Sequence, residues 1–120
     1  MDILVGNSFP LSLIKRKVVI IPQNIEEFKK VLYNNNVFSF WGHKNSLVTA
    51  NNITGADLTP EYERPSLLLT NDGYIEFNNY IFKQCWVLSP NYIVGFRPVI
   101  GEEVTEDKIT GWQVLQMIWE

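Results

Sequence analysis

Cysteine, histidine and arginine are nearly missing from this chain, and each scarcity closes off a class of chemistry. One cysteine, Cys85, excludes an internal disulfide and any cysteine-based zinc site, as expected of a reducing compartment. One histidine, His43, beside that one cysteine argues against a transition-metal centre, so metal hydrolysis is disfavoured. Three arginines, Arg16, Arg64 and Arg97, and a formal net charge of -3 argue against a protein that grips long nucleic acid through many phosphates. A small anionic ligand needs far fewer cations. No P-loop, Gly-x-Gly-x-x-Gly, His-x-x-x-His or Gly-x-Ser-x-Gly motif is present. No apolar run reaches membrane-spanning length, and Ile3-Leu4-Val5, cut short by Gly6-Asn7 and lacking a basic n-region, is not a secretory signal. The expectation is a cytoplasmic protein with no membrane partner, no metal and no cofactor.

Aromatic residues, by contrast, are plentiful. Four Trp, five Tyr and seven Phe accompany only 19% charged residues, below the usual figure of about a quarter, which leaves little polar surface for a monomer of 120 residues. A homo-oligomer, dimeric or larger, is therefore expected. With 46% hydrophobic content the chain has the size and apolar share of one domain spanning residues 1–120.

The patterning predicts an α/β or α+β fold: a single small domain with a mixed, mainly-β sheet of about five to seven strands and two or three helices. Asp2 to Val5 reads as a strand, and Lys17 to Ile21 as a second one stopped by Pro22. Asn24 caps a helix from Ile25 to Tyr33, with Glu27 completing a capping box, Ile25, Phe28, Val31 and Leu32 on one apolar face, and Glu26 and Lys30 as an i,i+4 pair. Val37 to Trp41 reads as a strand, and Asn45 to Thr54 as a short helix closed by Gly55. From Arg64 onward the pattern is β. Strands are expected over Ser66 to Thr70, Tyr80 to Leu88, Tyr92 to Phe96 and Trp112 to Trp119, with turns at Asn71-Asp72-Gly73 and Ser89-Pro90-Asn91. The last strand is apolar on both faces, which calls for the core on one side and helices or a second subunit on the other.

Three loops each follow a probable strand and carry a polar residue: Gly6-Asn7-Ser8, Gly42-His43 and Arg97-Pro98. If their strands run parallel, the loops meet at one sheet edge, where α/β folds bind ligands. His43 stands at a strand-to-helix turn, where main-chain N–H groups gather, and so is placed to meet a phosphate and give it a proton. Each has a plainer reading: His43 as a structural hydrogen-bonding group, Asn7 as a turn residue and Arg97 as a surface or interface ion-pair partner. Arg16, within Lys15-Arg16-Lys17, reads as part of a solvated turn.

In order and context these segments resemble the small STIV-like viral protein family. Asn7-Ser8-Phe9 after the first strand parallels that family's Asn-Ala-Phe-Ser, and Gly42-His43 its Gly-His motif. Arg97-Pro98-Val99-Ile100-Gly101, followed by Glu102 to Glu106, parallels its Arg-x-Pro-Glu-Gly stretch. The family includes the anti-CRISPR ring nuclease that destroys cyclic tetra-adenylate made by type III CRISPR systems. The resemblance implies ligand-contacting and catalytic roles for Asn7 and His43 and a phosphate contact for Arg97. It also marks two departures: the family's pocket serine falls at Pro10, and the acidic residue that supports catalysis falls at Ile100, with Glu102 and Glu103 out of register. An imidazole without an orienting carboxylate is poorly held for general-acid work.

The expected function is therefore a phage or viral anti-defence protein that binds and sequesters a nucleotide immune messenger, a cyclic oligonucleotide or a cyclic ADP-ribose derivative. Asn7, Ser8, Trp41, Gly42, His43 and Arg97 would form the ligand site, with Trp41 or neighbouring aromatics stacking on a base. The alternatives are a metal-independent ring nuclease that uses His43 as its acid, and an interaction protein whose aromatic surface blocks a host enzyme.

Overall fold

The computed structural model describes residues 2–41, 44–56, 58, 67–99 and 104–120. Eight strands and two α-helices are formed among them: β1 (Asp2–Gly6), β2 (Val18–Gln23), α1 (Ile25–Asn34), β3 (Asn36–Ser39), α2 (Lys44–Thr54), β4 (Leu68–Leu69), β5 (Ile75–Phe77), β6 (Tyr80–Phe82), β7 (Gln84–Tyr92) and β8 (Ile109–Trp119). A five-stranded sheet has the order β2-β8-β7-β1-β3, and β4-β5-β6 form a separate three-stranded sheet. β1 pairs in parallel with both β3 and β7, whereas β8 is antiparallel to β7 and β2. This is the mixed α+β architecture that the patterning predicts.

Period-two alternation splits the large sheet between two cores. Ile3, Val5, Trp86, Leu88 and Val114 face one way and pack with Phe28 of α1 and Leu47 and Ala50 of α2. Leu4, Cys85, Val87, Met117 and Trp119 face the other way and pack with Ile75, Phe77 and Phe82 of the small sheet. The two apolar faces of β8 are therefore both covered within one chain, by helices on one side and the small sheet on the other. No second subunit is needed to cover them.

Helix α1 forms as its capping signals require. The Asn24 side chain accepts from the Glu27 main-chain N–H at 2.9 Å, Phe28 is buried, and Ile25, Val31 and Leu32 lie against the same core. Its ion pairs are spaced i,i+3 instead of i,i+4: Lys30 meets Glu27 at 3.3 Å and Lys29 meets Glu26 at 3.8 Å. Gly55 closes α2 at φ +71°, and its N–H donates to the Asn51 carbonyl.

The strand boundaries depart from expectation at four places. Pro22 does not stop β2, because β2 is an edge strand, where a missing N–H costs little. Pro90 lies inside β7 opposite Trp112, three residues beyond the last β1 partner, Val87, where no strand among the described residues pairs with that side of β7. The long strand expected from Tyr80 to Leu88 is two strands in different sheets, parted at Lys83. The hairpin that opens it, β5 to β6, turns on Asn78 and Asn79, both with positive φ. The strand expected from Tyr92 to Phe96 does not form: Tyr92 ends β7, and the following residues turn at Gly95, which holds φ +84°.

Candidate functional site

Because β3, β1 and β7 are mutually parallel, their C-terminal ends open at the same edge of the sheet. The loops beginning at Asn7 and Phe40 leave from adjacent strand ends, whereas β7 runs on five residues past its last β1 partner, Val87, before the loop beginning at Ile93.

Close packing shapes the β1 and β3 ends. The Phe40 N–H donates to the Val5 carbonyl at 2.9 Å, continuing the pairing one residue past β3, and the Phe40 ring lies against Gly6. A Cβ at Gly6 would stand 2.5 Å from that ring, so glycine is required for close approach. Trp41 follows, its N–H donating to the Ser39 hydroxyl at 3.3 Å. Its ring is fully buried in the helix-side core beside Leu47, Ala50 and Trp86. The indole face proposed for base stacking is therefore occupied by core packing.

Asn7 is half-buried and Ser8 exposed. The Asn7 carbonyl accepts from the Ser89 hydroxyl at 2.8 Å, which fastens the loop after β1 to the overhanging part of β7. Beyond β7, Ile93 donates to the Lys108 carbonyl and Phe96 to the Ile93 carbonyl, with Gly95 at φ +84° completing the turn. The Tyr92 and Phe96 rings meet at 5.3 Å, and the Lys108 ammonium lies 5.8 Å from the Phe96 ring centre. Burial pushes the Tyr92 phenol above its ordinary range, so it stays neutral through physiological pH. Arg97 follows this turn and is exposed, as are Val94 and Val99 nearby. Gly42, His43, Ile100, Gly101, Glu102 and Glu103 lie outside the described residues.

Two further residues need placing. Thr49, buried on α2, donates to the Val104 carbonyl at 2.6 Å and so ties the helix to the segment that leads back to β8. The signal for it in the sequence is slight: one small hydroxyl among the apolar positions of an Asn- and Thr-rich helix. Arg16 belongs elsewhere and is no solvated turn residue. Its guanidinium donates to the Glu120 carbonyl at 2.6 Å and the Asp72 carbonyl at 2.7 Å while lying 4.1 Å from the Tyr74 ring centre. Among the described residues no group of histidine, cysteine and acidic side chains is arranged to hold a metal ion. None of their helices is long and apolar enough to cross a membrane.

Neither a protein-family model nor a curated protein sequence matches the chain. Among solved structures, B116 of Sulfolobus turreted icosahedral virus is similar over 100% of both chains, with a TM-score of 0.62 and 13% identity. The chain shares the fold of this viral protein. At that identity the likeness is one of fold alone.

Proposed function

We propose that this protein is a viral anti-defence protein that binds and sequesters a nucleotide second messenger at the C-terminal edge of its parallel strands. The observation that supports the reading is the common direction of β3, β1 and β7, whose C-terminal ends are followed by the segments that hold Phe40–Trp41, Asn7 and Arg97. Arg97, exposed on its turn, supplies a phosphate contact, and the Asn7 amide supplies a base or ribose contact. His43 and the N-terminus of α2 add anion-binding capacity in this reading. The fold shared with a viral protein is in keeping with a viral origin. Trp41 serves by packing, holding the start of α2 against β3, and stacking falls to other groups.

Binding is favoured over cleavage because Ile100 stands where the resembling nuclease family has its acidic residue. Two subunits in this proposal supply matching walls to a symmetric ligand. Incubation of the purified protein with cyclic di-, tri- and tetranucleotides and NAD-derived cyclic messengers, followed by denaturation and analysis of what is released, tests the reading. Intact ligand supports sequestration. Linear product over many turnovers, lost in His43→Ala, replaces it with a metal-independent nuclease, and no retention of any messenger refutes both.

A further inference from the structure

The outer edge of β3 borders an open groove of about 590 Å³ between the C-terminal turns of α1 and α2. Val37, Ser39 and Leu58 are among the residues that line it, with Tyr33, Lys29 and Lys30 contributed by α1. Tyr33 is 90% exposed, an unusual position for a large ring that no core claims. No carboxylate is among the lining residues.

Among the described residues, the main chain beside the groove is paired on one side alone. Phe40 N–H points to β1, where it meets the Val5 carbonyl. Strand groups alternate sides, so Phe38 and Asn36 face β1 too, and the N–H and C=O of Val37 and Ser39 face outward. Among the described residues no strand pairs with that side. The same two residues thus offer side chains to the groove and hydrogen-bonding groups to its border. The other edge strand, β2, is blunted by Pro22 and headed by Lys17, a common protection of sheet edges, whereas β3 carries neither proline nor charge.

We infer that the outer edge of β3 is a docking site for an extended acidic peptide segment of a partner protein, which joins the sheet as a further strand. Alternate side chains of the segment enter the groove over Val37 and Leu58, and its carboxylates meet Lys29 and Lys30. The present partners of those lysines, Glu26 and Glu27, form exposed pairs that an incoming carboxylate can replace. A second copy of this chain fits less well. Two-fold pairing of β3 with itself would set the Lys29 and Lys30 rims of both copies against each other.

The test uses fluorescein-labelled heptapeptides on the whole protein: one alternating Val and Glu, one alternating Val and Lys, and the acidic one with its central Val replaced by Pro. Fluorescence anisotropy should show saturable binding of the acidic peptide, with the other two weaker by about tenfold or more. The double variant Lys29→Glu, Lys30→Glu should reverse the preference between acidic and basic peptides. Amide exchange at Val37 and Ser39 should slow when the acidic peptide is bound. Equal binding of all three peptides, no saturable binding, or an unchanged preference in the charge-swapped variant overturns the proposal. So does slowing of those amides with rising protein concentration in the absence of peptide, which would assign the edge to a second copy.

Discussion

At the end of the sheet where β8 stops, Arg16 joins three parts of the chain, donating to the Asp72 turn and the Glu120 carbonyl and lying on Tyr74. Lys83 approaches the same ring at 4.7 Å, Lys17 pairs with Glu120 at 3.2 Å, and the main chains of Glu120 and Trp119 donate to Lys17 and Lys83. At the other end, where β1, β3 and β7 stop, the Ser89 hydroxyl on the Asn7 carbonyl joins β7 to the loop after β1, and Arg97, Val94 and Val99 stand in solvent. The contrast separates two uses of the same residue type. One arginine donates to the protein's own carbonyls, and the other is exposed to solvent.

Substitutions can break or sharpen this contrast. The largest effect is expected from Trp41→Ala at the open end, because the ring is fully buried: a loss of about 3–5 kcal/mol in urea unfolding. If Trp41→Phe instead left stability unchanged and weakened nucleotide binding, the ring would belong to the ligand wall. At the latched end, Arg16→Ala should cost about 1–2 kcal/mol, from two charge-assisted bonds discounted for their exposure and a ring contact, with nucleotide binding unaltered. Asn24→Ala should lower stability by about 1 kcal/mol through loss of the helix cap, again without touching binding. The smallest change is a gain: Asn79→Gly should raise stability by ~0.5 kcal/mol, since Asn79 already holds φ +67° in the hairpin.

Local chemistry explains which parts of this architecture were legible in the residues. Asn24, Glu27 and Gly55 act through neighbours three or four positions away, so the helix ends follow from the chain itself. Pro22 and Pro90 misled because their tolerance depends on which side of a strand lacks a partner, a property of strand order. Asn78-Asn79 was a readable turn signal, since asparagine is among the few residues that enter the left-handed region readily, and it marks β5 and β6 as a hairpin. Trp41 looked like a ligand wall because an aromatic beside a Gly-His turn carries no sign of the helix that will cover it. The double-faced apolarity of β8 was read correctly as burial on both sides, but the covering layer came from the small sheet of the same chain. Asn7 and Ser8 follow β1 directly, whereas Arg97 comes five residues after β7, because the strand expected from Tyr92 to Phe96 gives way to a turn at Gly95.

The account stands most directly on the affinity of Arg97→Ala, measured by calorimetry against Arg16→Ala with whichever cyclic nucleotide the wild-type protein retains. Arg97→Ala should bind about tenfold to a hundredfold more weakly, from a lost phosphate contact of about 1.5–3 kcal/mol, while its stability changes by less than about 0.5 kcal/mol. Arg16→Ala should bind as wild type does. Equal losses in the two variants, or an unchanged affinity in Arg97→Ala, would contradict the assignment of the ligand to the open end of the sheet.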